Sequence, residues 1–220
     1  MKFLSYTLNQ LTPTYGNKNQ FEIIKKSDIS KGDTANDSFI NTTVHIGTHI
    51  DMPYHFYEDG QTLLDFEDNF WVFKKPCIIE VKPINIIIKD ELLEQLENIR
   101  NKDYDILIVK TGMCKLREKD EFWQQNVGFH PEVYDYLVQN FPKLRVLGFD
   151  SISVSSFTNR VLGREAHKRF LNPKRPILLL EDMKLLDIDQ STSFKQIIVA
   201  PLRIEQCDGL PCTVLGLLDS

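Results

Sequence analysis

The sequence predicts an α/β domain built on a mixed β-sheet, and three observations carry that expectation. Short apolar, β-branched runs such as ILIVK (106–110) and ILLLE (177–181) recur along the chain. Between several of them lie segments of helical periodicity, as in DELLEQLENI, and strands alternating with helices specify an α/β arrangement. Other strand candidates adjoin too closely for a helical crossover, so the sheet must be mixed. No repeat, low-complexity stretch or linker interrupts the 220 residues. We read residues 1–220 as one compact domain, a length that buries a sizeable core.

Along the chain, the strand candidates are Phe21–Lys26, Phe39–His45, Cys77–Lys82, Ile106–Thr111, Arg145–Asp150, Ile177–Glu181, Gln196–Leu202 and Thr213–Leu217, each a β-branched or apolar run bounded by turn formers or charge. In KDELLEQLENI, Leu92, Leu96 and Ile99 fall at i, i+4 and i+7, and Asp90 and Glu91 occupy the first turn, where the helix dipole favours anions. PEVYDYLVQNF opens on Pro131 and puts Val133, Leu137 and Val138 on one face; proline suits the first helical position. His130, just before it, reads as structural. A third helix is expected over Arg164–Leu171, ending before Asn172-Pro173 because the residue preceding proline is driven out of the α region.

Composition removes several function classes. A hydrophobic fraction of 42% and a charged fraction of 26% are those of a soluble globular protein. The formal charge of −5, without a Lys/Arg-rich block, argues against nucleic-acid binding. No apolar run reaches the roughly 18–20 residues needed to cross a bilayer, and MKFLSYTLNQLTPTYG has no continuous apolar signal core. The expectation is a cytoplasmic protein starting near Met1. Its four cysteines, Cys77, Cys114, Cys207 and Cys212, form no CxxC pair. Cys207 and Cys212 flank the turn-like DGLP, yet in the cytosol they are expected as packed thiols.

The stretch VHIGTHIDMPYH holds three of the chain's five histidines within twelve residues. As a strand it would place His45, Gly47, His49, Asp51, Pro53 and His55 on one face, and Val44, Ile46, Thr48, Ile50, Met52 and Tyr54 on the other. The second set is apolar and suits the core; the first holds every group capable of chemistry. A straight strand would spread His45 and His55 over about 33 Å, whereas a metal needs its ligands at about 2 Å. Gly47, the β-branched residues and Pro53 disfavour a helix. The chain is therefore expected to enter extended near Val44, bend at Gly47 and curl around a point, with Pro53 ending any sheet pairing. Four such groups buried without a cation would cost about 1–3 kcal/mol for each left unpartnered. Imidazole and carboxylate ligands with open positions suit zinc first and manganese second; calcium and magnesium prefer oxygen shells.

Residues 45–55 fit HxGTHxDxPxH at all seven fixed positions. This resembles the motif of the cyclase-like metal-dependent hydrolases, a family that includes bacterial kynurenine formamidase (arylformamidase) and isatin hydrolase. GREAHKRFLNPKRPILLLEDMKLL is similar to the family's second metal segment, and DILIVKTGM, GFDSISV and APLRIEQCDGLPCTVLGLLD are similar to further family blocks, so the resemblance covers most of the chain. It implies a swivelling β/β/α fold assembling as a homodimer or homotetramer. It also implies one or two divalent ions, with His45 and His49 on a first metal, Asp51 bridging, His167 on the second, Glu181 as the other carboxylate ligand, and His55 as the catalytic histidine. Taken alone, His167 among Arg164, Lys168 and Arg169 reads as solvated, and Glu181 as a surface residue ending a strand. Asp150, also ending a strand, is open between orienting a ligand histidine and capping a turn.

The expected chemistry is hydrolysis of the C–N bond of a small cyclic or N-acyl, aromatic substrate, with His55 shuttling the proton. A lactonase or other cyclase-type reaction at the same centre is the alternative. A non-catalytic protein braced by its metal is a second, though structural zinc sites are closed and usually cysteine-rich. The family's kynurenine formamidases carry a tryptophan in a WPGD-like N-terminal segment. Here that region reads LTPTYGNKNQFEI, with Tyr15-Gly16 at that place, so formylkynurenine itself is not implied. Phe56, Tyr57, Phe66, Phe70 and Trp71 follow the motif and offer apolar lining, although most are expected in the core.

Overall fold

The computed structural model describes residues 1–18 and 21–219, so Asn19 and Gln20 of the LTPTYGNKNQFEI segment lie outside it. Thirteen strands are present among the described residues: β1 (Lys2–Phe3), β2 (Glu22–Ser27), β3 (Asp37–Asn41), β4 (His49–Asp51), β5 (Val72–Phe73), β6 (Pro76–Glu80), β7 (Ile87–Ile88), β8 (Ile106–Lys110), β9 (Gly128–Phe129), β10 (Val146–Phe149), β11 (Leu178–Glu181), β12 (Phe194–Pro201) and β13 (Gly209–Leu218). The helices are α1 (Asp90–Glu97), α2 (Glu121–Gln124), α3 (Pro131–Asn140) and α4 (Arg160–Phe170).

Nine strands form one mixed sheet in the order β5-β12-β13-β4-β11-β10-β8-β6, with β1 paired to β13. β6, β8, β10 and β11 run parallel. Ile106–Val109, Val146–Phe149 and Leu178–Leu180 are buried throughout, because a parallel strand is covered on both faces and so reads as an unbroken apolar run. β4 is antiparallel to β11 on one side and to β13 on the other. It is thus the strand at which the parallel half changes to an antiparallel one. The sheet curls until β12 lies against β6, and one hydrophobic core runs through it.

Where the elements differ from expectation, local chemistry explains it. The strand expected to reach His45 ends at Asn41. DGLP is no turn: Gly209, Leu210 and Pro211 pair with Asp51, Ile50 and His49. α4 begins at Arg160, a turn earlier than expected, where the Asn159 side chain accepts from the Leu162 amide at 3.4 Å, a cap that satisfies one free donor of the first turn. Gly163 within α4 permits close packing, since a Cβ there would sit 2.2 Å from Ser155 Oγ. His130 is structural as expected, its ring accepting from Glu132 N at 3.2 Å to cap α3. All four cysteines are free. Among the described residues no helix is long and apolar enough to cross a membrane.

Candidate metal centre

The histidine stretch takes the expected bend. Gly47 has φ +55°, a conformation that calls for glycine, and a Cβ there would also press on the end of the Leu8 side chain at 2.4 Å. Ile46, Ile50 and Met52 are in the core. Val44 is only half-buried and Tyr54 is 41% exposed, so the apolar face holds through the middle of the motif and frays at its ends. Thr48 anchors the bend by donating to the Asp182 carbonyl at 2.6 Å and accepting from the Tyr6 amide at 3.1 Å. Asp182 is itself fixed by Arg117, whose guanidinium donates to its carboxylate at 2.8 Å and lies 3.7 Å from the Tyr6 ring centre. After β4, Pro53–His55 form a single 3-10 turn, which brings His55 back toward His45, their ring centres 4.2 Å apart.

Two distant segments join through the sheet and a helix. Register pairs Glu181 on β11 with His49 on β4, so these side chains share a face. His167 is carried in on α4. His49, Asp51, His167 and Glu181 are 4%, 1%, 6% and 3% exposed, so neither His167 nor Glu181 is the solvated surface group that its local sequence suggests.

Hydrogen bonds assign the tautomers of two of these rings. A carbonyl can only accept, so His49 Nδ1 donates to Gly47 O at 2.8 Å and His167 Nδ1 donates to Gly163 O at 3.0 Å. In the neutral rings each Nε2 therefore holds a bare lone pair. His49 Nε2 faces Asp51 Oδ1 at 3.4 Å and Glu181 Oε2 at 3.5 Å; His167 Nε2 faces Asp51 Oδ2 at 3.5 Å and Glu181 Oε1 at 3.8 Å. Lone pairs converging on buried carboxylate oxygens, at distances too long for hydrogen bonds, repel one another unless a cation lies between them. The donor set fits a divalent metal of the zinc or manganese type.

Two groups of ligand atoms, each within 4.8 Å, share Asp51: His49, Asp51 and Glu181 in one, His45, Asp51 and His55 in the other. Burial pushes Glu181 well above the usual carboxylate range, and the Asp51 charge adds to it. Burial acts the same way on Asp51, but the charge of His45 and its hydrogen bond, with the nearby rings of His167 and His49, outweigh it and hold Asp51 well below that range. Glu181 Oε1 also accepts from the Val154 amide at 2.8 Å.

A residue that the sequence did not single out completes the second group. Asp208 Oδ2 accepts from His45 Nε2 at 2.8 Å and from His55 Nδ1 at 3.0 Å, while His45 Nδ1 donates to Asp51 at 2.9 Å. Burial opposes a charged His45, but the two carboxylates prevail and raise its pKa to about 10. The imidazole hydrogen bonds hold Asp208 well below the usual carboxylate range. Space for the His45 ring depends on Gly209, where a Cβ would lie 2.5 Å from His45 Cε1. Asp208 sits 153 residues from His55, so no spacing rule reveals it. Outer carboxylates that orient ligand or catalytic histidines are typically worth about 10–100-fold. Asp208→Asn is accordingly expected to lower kcat/KM by about that factor while zinc content per chain stays near the wild-type value.

All six candidate residues line one cavity of about 390 Å³. Phe56 forms part of its wall, stacked on His167 at 4.7 Å and 17°, and Tyr15 lies at its edge against Phe157. Tyr57 turns away to donate to Lys168 O at 2.7 Å. Phe66, Phe70 and Trp71 pack together against the core. Asp150 proves to be a cap: it accepts from the Thr111, Gly112 and Cys114 amides at 2.6, 2.9 and 3.2 Å.

Comparison with known proteins gives the family and the fold. Residues 3–156 match the family model described as "Cyclase: Putative cyclase". The chain is 27% identical over 189 residues to cyclase-like protein 3 of Arabidopsis thaliana, covering 83% of this chain and 66% of that protein, just under two thirds of its length. It is 26% identical over 209 residues to a kynurenine formamidase of Bacillus cereus, covering 94% and 92%. Isatin hydrolase A from Labrenzia aggregata, solved with benzyl benzoate, superposes with a TM-score of 0.83 at 20% identity over 99% of this chain and 93% of that one. An isatin hydrolase bound to the product analogue thioisatinate gives 0.78 at 19% identity, over 100% and 92%. With a family model spanning more than half of its residues, and the motif of that family bent around one buried carboxylate pair, the chain belongs to the cyclase family.

Proposed function

We propose that the protein is a metal-dependent hydrolase that cleaves the C–N bond of a small cyclic or N-acyl, aromatic amide. The observation that carries this reading is the pair of imidazole lone pairs facing Asp51 and Glu181 in a cavity that also holds His55, a histidine oriented by a carboxylate of its own. The names of its Bacillus relatives and of its structural neighbours point the same way.

His45, His49, Asp51, His167 and Glu181 would hold one or two divalent ions, zinc first and manganese second, with Asp51 shared. A metal bound there supplies Lewis acidity, lowering the pKa of water from 15.7 to about 7 and polarising a carbonyl. The remaining work falls to the chain. His55 Nδ1–H donates to Asp208, which fixes the tautomer and leaves Nε2 as the base. Water attacks the carbonyl carbon as His55 Nε2 takes its proton. The same proton then passes to the amide nitrogen as the C–N bond breaks, releasing a carboxylic acid and an amine. Phe56 and Tyr15 supply apolar surface for a ring. A homodimer or homotetramer, implied by the family resemblance, and cytoplasmic action, expected from the sequence, complete the proposal.

The test is an assay of zinc- and manganese-loaded protein on formylkynurenine, isatin and simple lactones. Hydrolysis of an amide or lactam that a chelator abolishes is the expected result. Turnover of lactones alone would favour the lactonase alternative. Metal binding without turnover of any of them would favour a binding protein.

A further inference from the structure

α4 presents three side chains to the cavity. Arg160, Arg164 and His167 all line it and stand at i, i+4 and i+7, one face of the helix. His167 lies deep among the carboxylates, whereas both arginines are exposed at the rim. The nearby acids are engaged elsewhere: Arg169 takes Asp135 at 2.7 Å and Glu165 at 3.6 Å. Among the described residues neither Arg160 nor Arg164 has an ion-pair partner.

Arg160 is nevertheless held in place. Its guanidinium lies 4.1 Å from the Phe157 ring centre, and Phe157 is fixed edge-on by Tyr15 at 5.6 Å and Trp123 at 5.8 Å. The Tyr15 hydroxyl is raised above its ordinary pKa, first by burial and also by the Glu181 charge, with both arginines opposing. Tyr15, the two arginines and Glu181 line the same cavity. A ring beside Phe56 and Tyr15 would bring a polar substituent to the two unpaired guanidiniums.

We propose that Arg160 and Arg164 form an anion subsite that takes a carboxylate on the substrate, so that this protein selects acidic aryl amides over neutral ones. The inference rests on the hydrolase reading above and names its substrate class. Guanidinium groups suit a planar carboxylate because their N–H donors match its two oxygens, and among the described residues no carboxylate pairs with them.

The experiment compares N-formylanthranilate with formanilide, which share the formamide and the ring and differ by one carboxylate. With zinc-loaded protein the ratio of kcat/KM, acid over neutral, is expected to exceed about tenfold. In Arg160→Gln/Arg164→Gln that ratio falls toward one, carried by the KM of the acid. Arg160→Lys/Arg164→Lys recovers part of it, and added salt narrows the wild-type ratio. Circular dichroism and zinc content check that the variants fold and load. Turnover of both substrates with no acid preference, or a preference that survives the glutamine variant, overturns the subsite and leaves the hydrolase reading standing. If neither compound is hydrolysed, the hydrolase reading fails on these amides. Titration of the zinc-loaded proteins with anthranilate then decides the subsite: weaker binding in the glutamine variant supports it, and equal binding overturns it.

Discussion

Asp51→Asn is expected to abolish the thermal stabilisation that zinc gives the wild-type protein and to lower kcat/KM by at least about 10³-fold. Among the described residues Asp51 alone is common to both groups of ligand atoms, and each of its oxygens faces an imidazole nitrogen. Asparagine keeps the shape but removes the charge, and one of its two terminal atoms becomes a donor. In the wild type, free metal at about 100 times Kd stabilises the folded state by about 2.7 kcal/mol. For a chain of this size that corresponds to a shift of about 5–11 °C in Tm. The shift should vanish in the variant while the far-ultraviolet circular dichroism is retained. Protons give a second readout. Burial and the Asp51 charge favour a proton on Glu181, and its carboxylate partners keep His45 charged until its pKa of about 10. Both groups must lose a proton to become ligands. Zinc uptake should therefore release protons, and apparent affinity should rise with pH between 6 and 8. Calorimetry in buffers of different ionisation enthalpy measures that release. An Asp51→Asn protein that keeps the zinc-dependent shift would sink the assignment.

Much of this centre was legible in the sequence because local rules applied to it. The alternation in VHIGTHIDMPYH separates Ile46, Ile50 and Met52 from the reactive residues, and a period of two survives folding even where regular pairing covers only His49–Asp51. The bend at Gly47 follows from distance alone, since a straight strand cannot bring His45 to His55. The buried runs of β8, β10 and β11 signal a parallel half-sheet in the same way. His167 and Glu181 were different. Each looks solvated in its own neighbourhood and acquires its role only across the sheet and the helix, so family resemblance alone pointed to them. Asp208 lies in a block that resembles the family, but the resemblance gave it no role. Asp-Gly followed by Pro reads as a turn, yet β4 offers Gly209–Pro211 an antiparallel partner and draws them into a strand. Arg160 lay outside the expected helix because Gly163 weakens the helical pattern, although close packing on Ser155 requires it. Length and propensity cannot weigh a contact made from elsewhere in the chain.

His55→Gln is expected to lower kcat by about 10²–10⁴-fold, the usual contribution of a general acid–base, while the zinc-dependent rise in Tm persists. How His55 is held sets it apart. Its Nδ1 donates to Asp208, which is 42% exposed, rather than to the buried Asp51. His55 therefore sits on the solvent side of the group, whereas His49 and His167 direct their Nε2 atoms at the Asp51–Glu181 pair. A ring oriented by one carboxylate, with its second nitrogen open to the cavity, suits proton transfer. Glutamine can keep a hydrogen bond to Asp208 but cannot accept and return a proton at neutral pH, so KM should change less than kcat. His55 also lies within ligand distance of His45 and Asp51, which gives the experiment its alternative outcome. Loss of the zinc-dependent Tm shift in His55→Gln would make His55 a metal ligand and transfer the proton shuttle to another group. Retention of the shift together with a collapsed kcat separates holding the metal from moving the proton, and assigns the second task to His55.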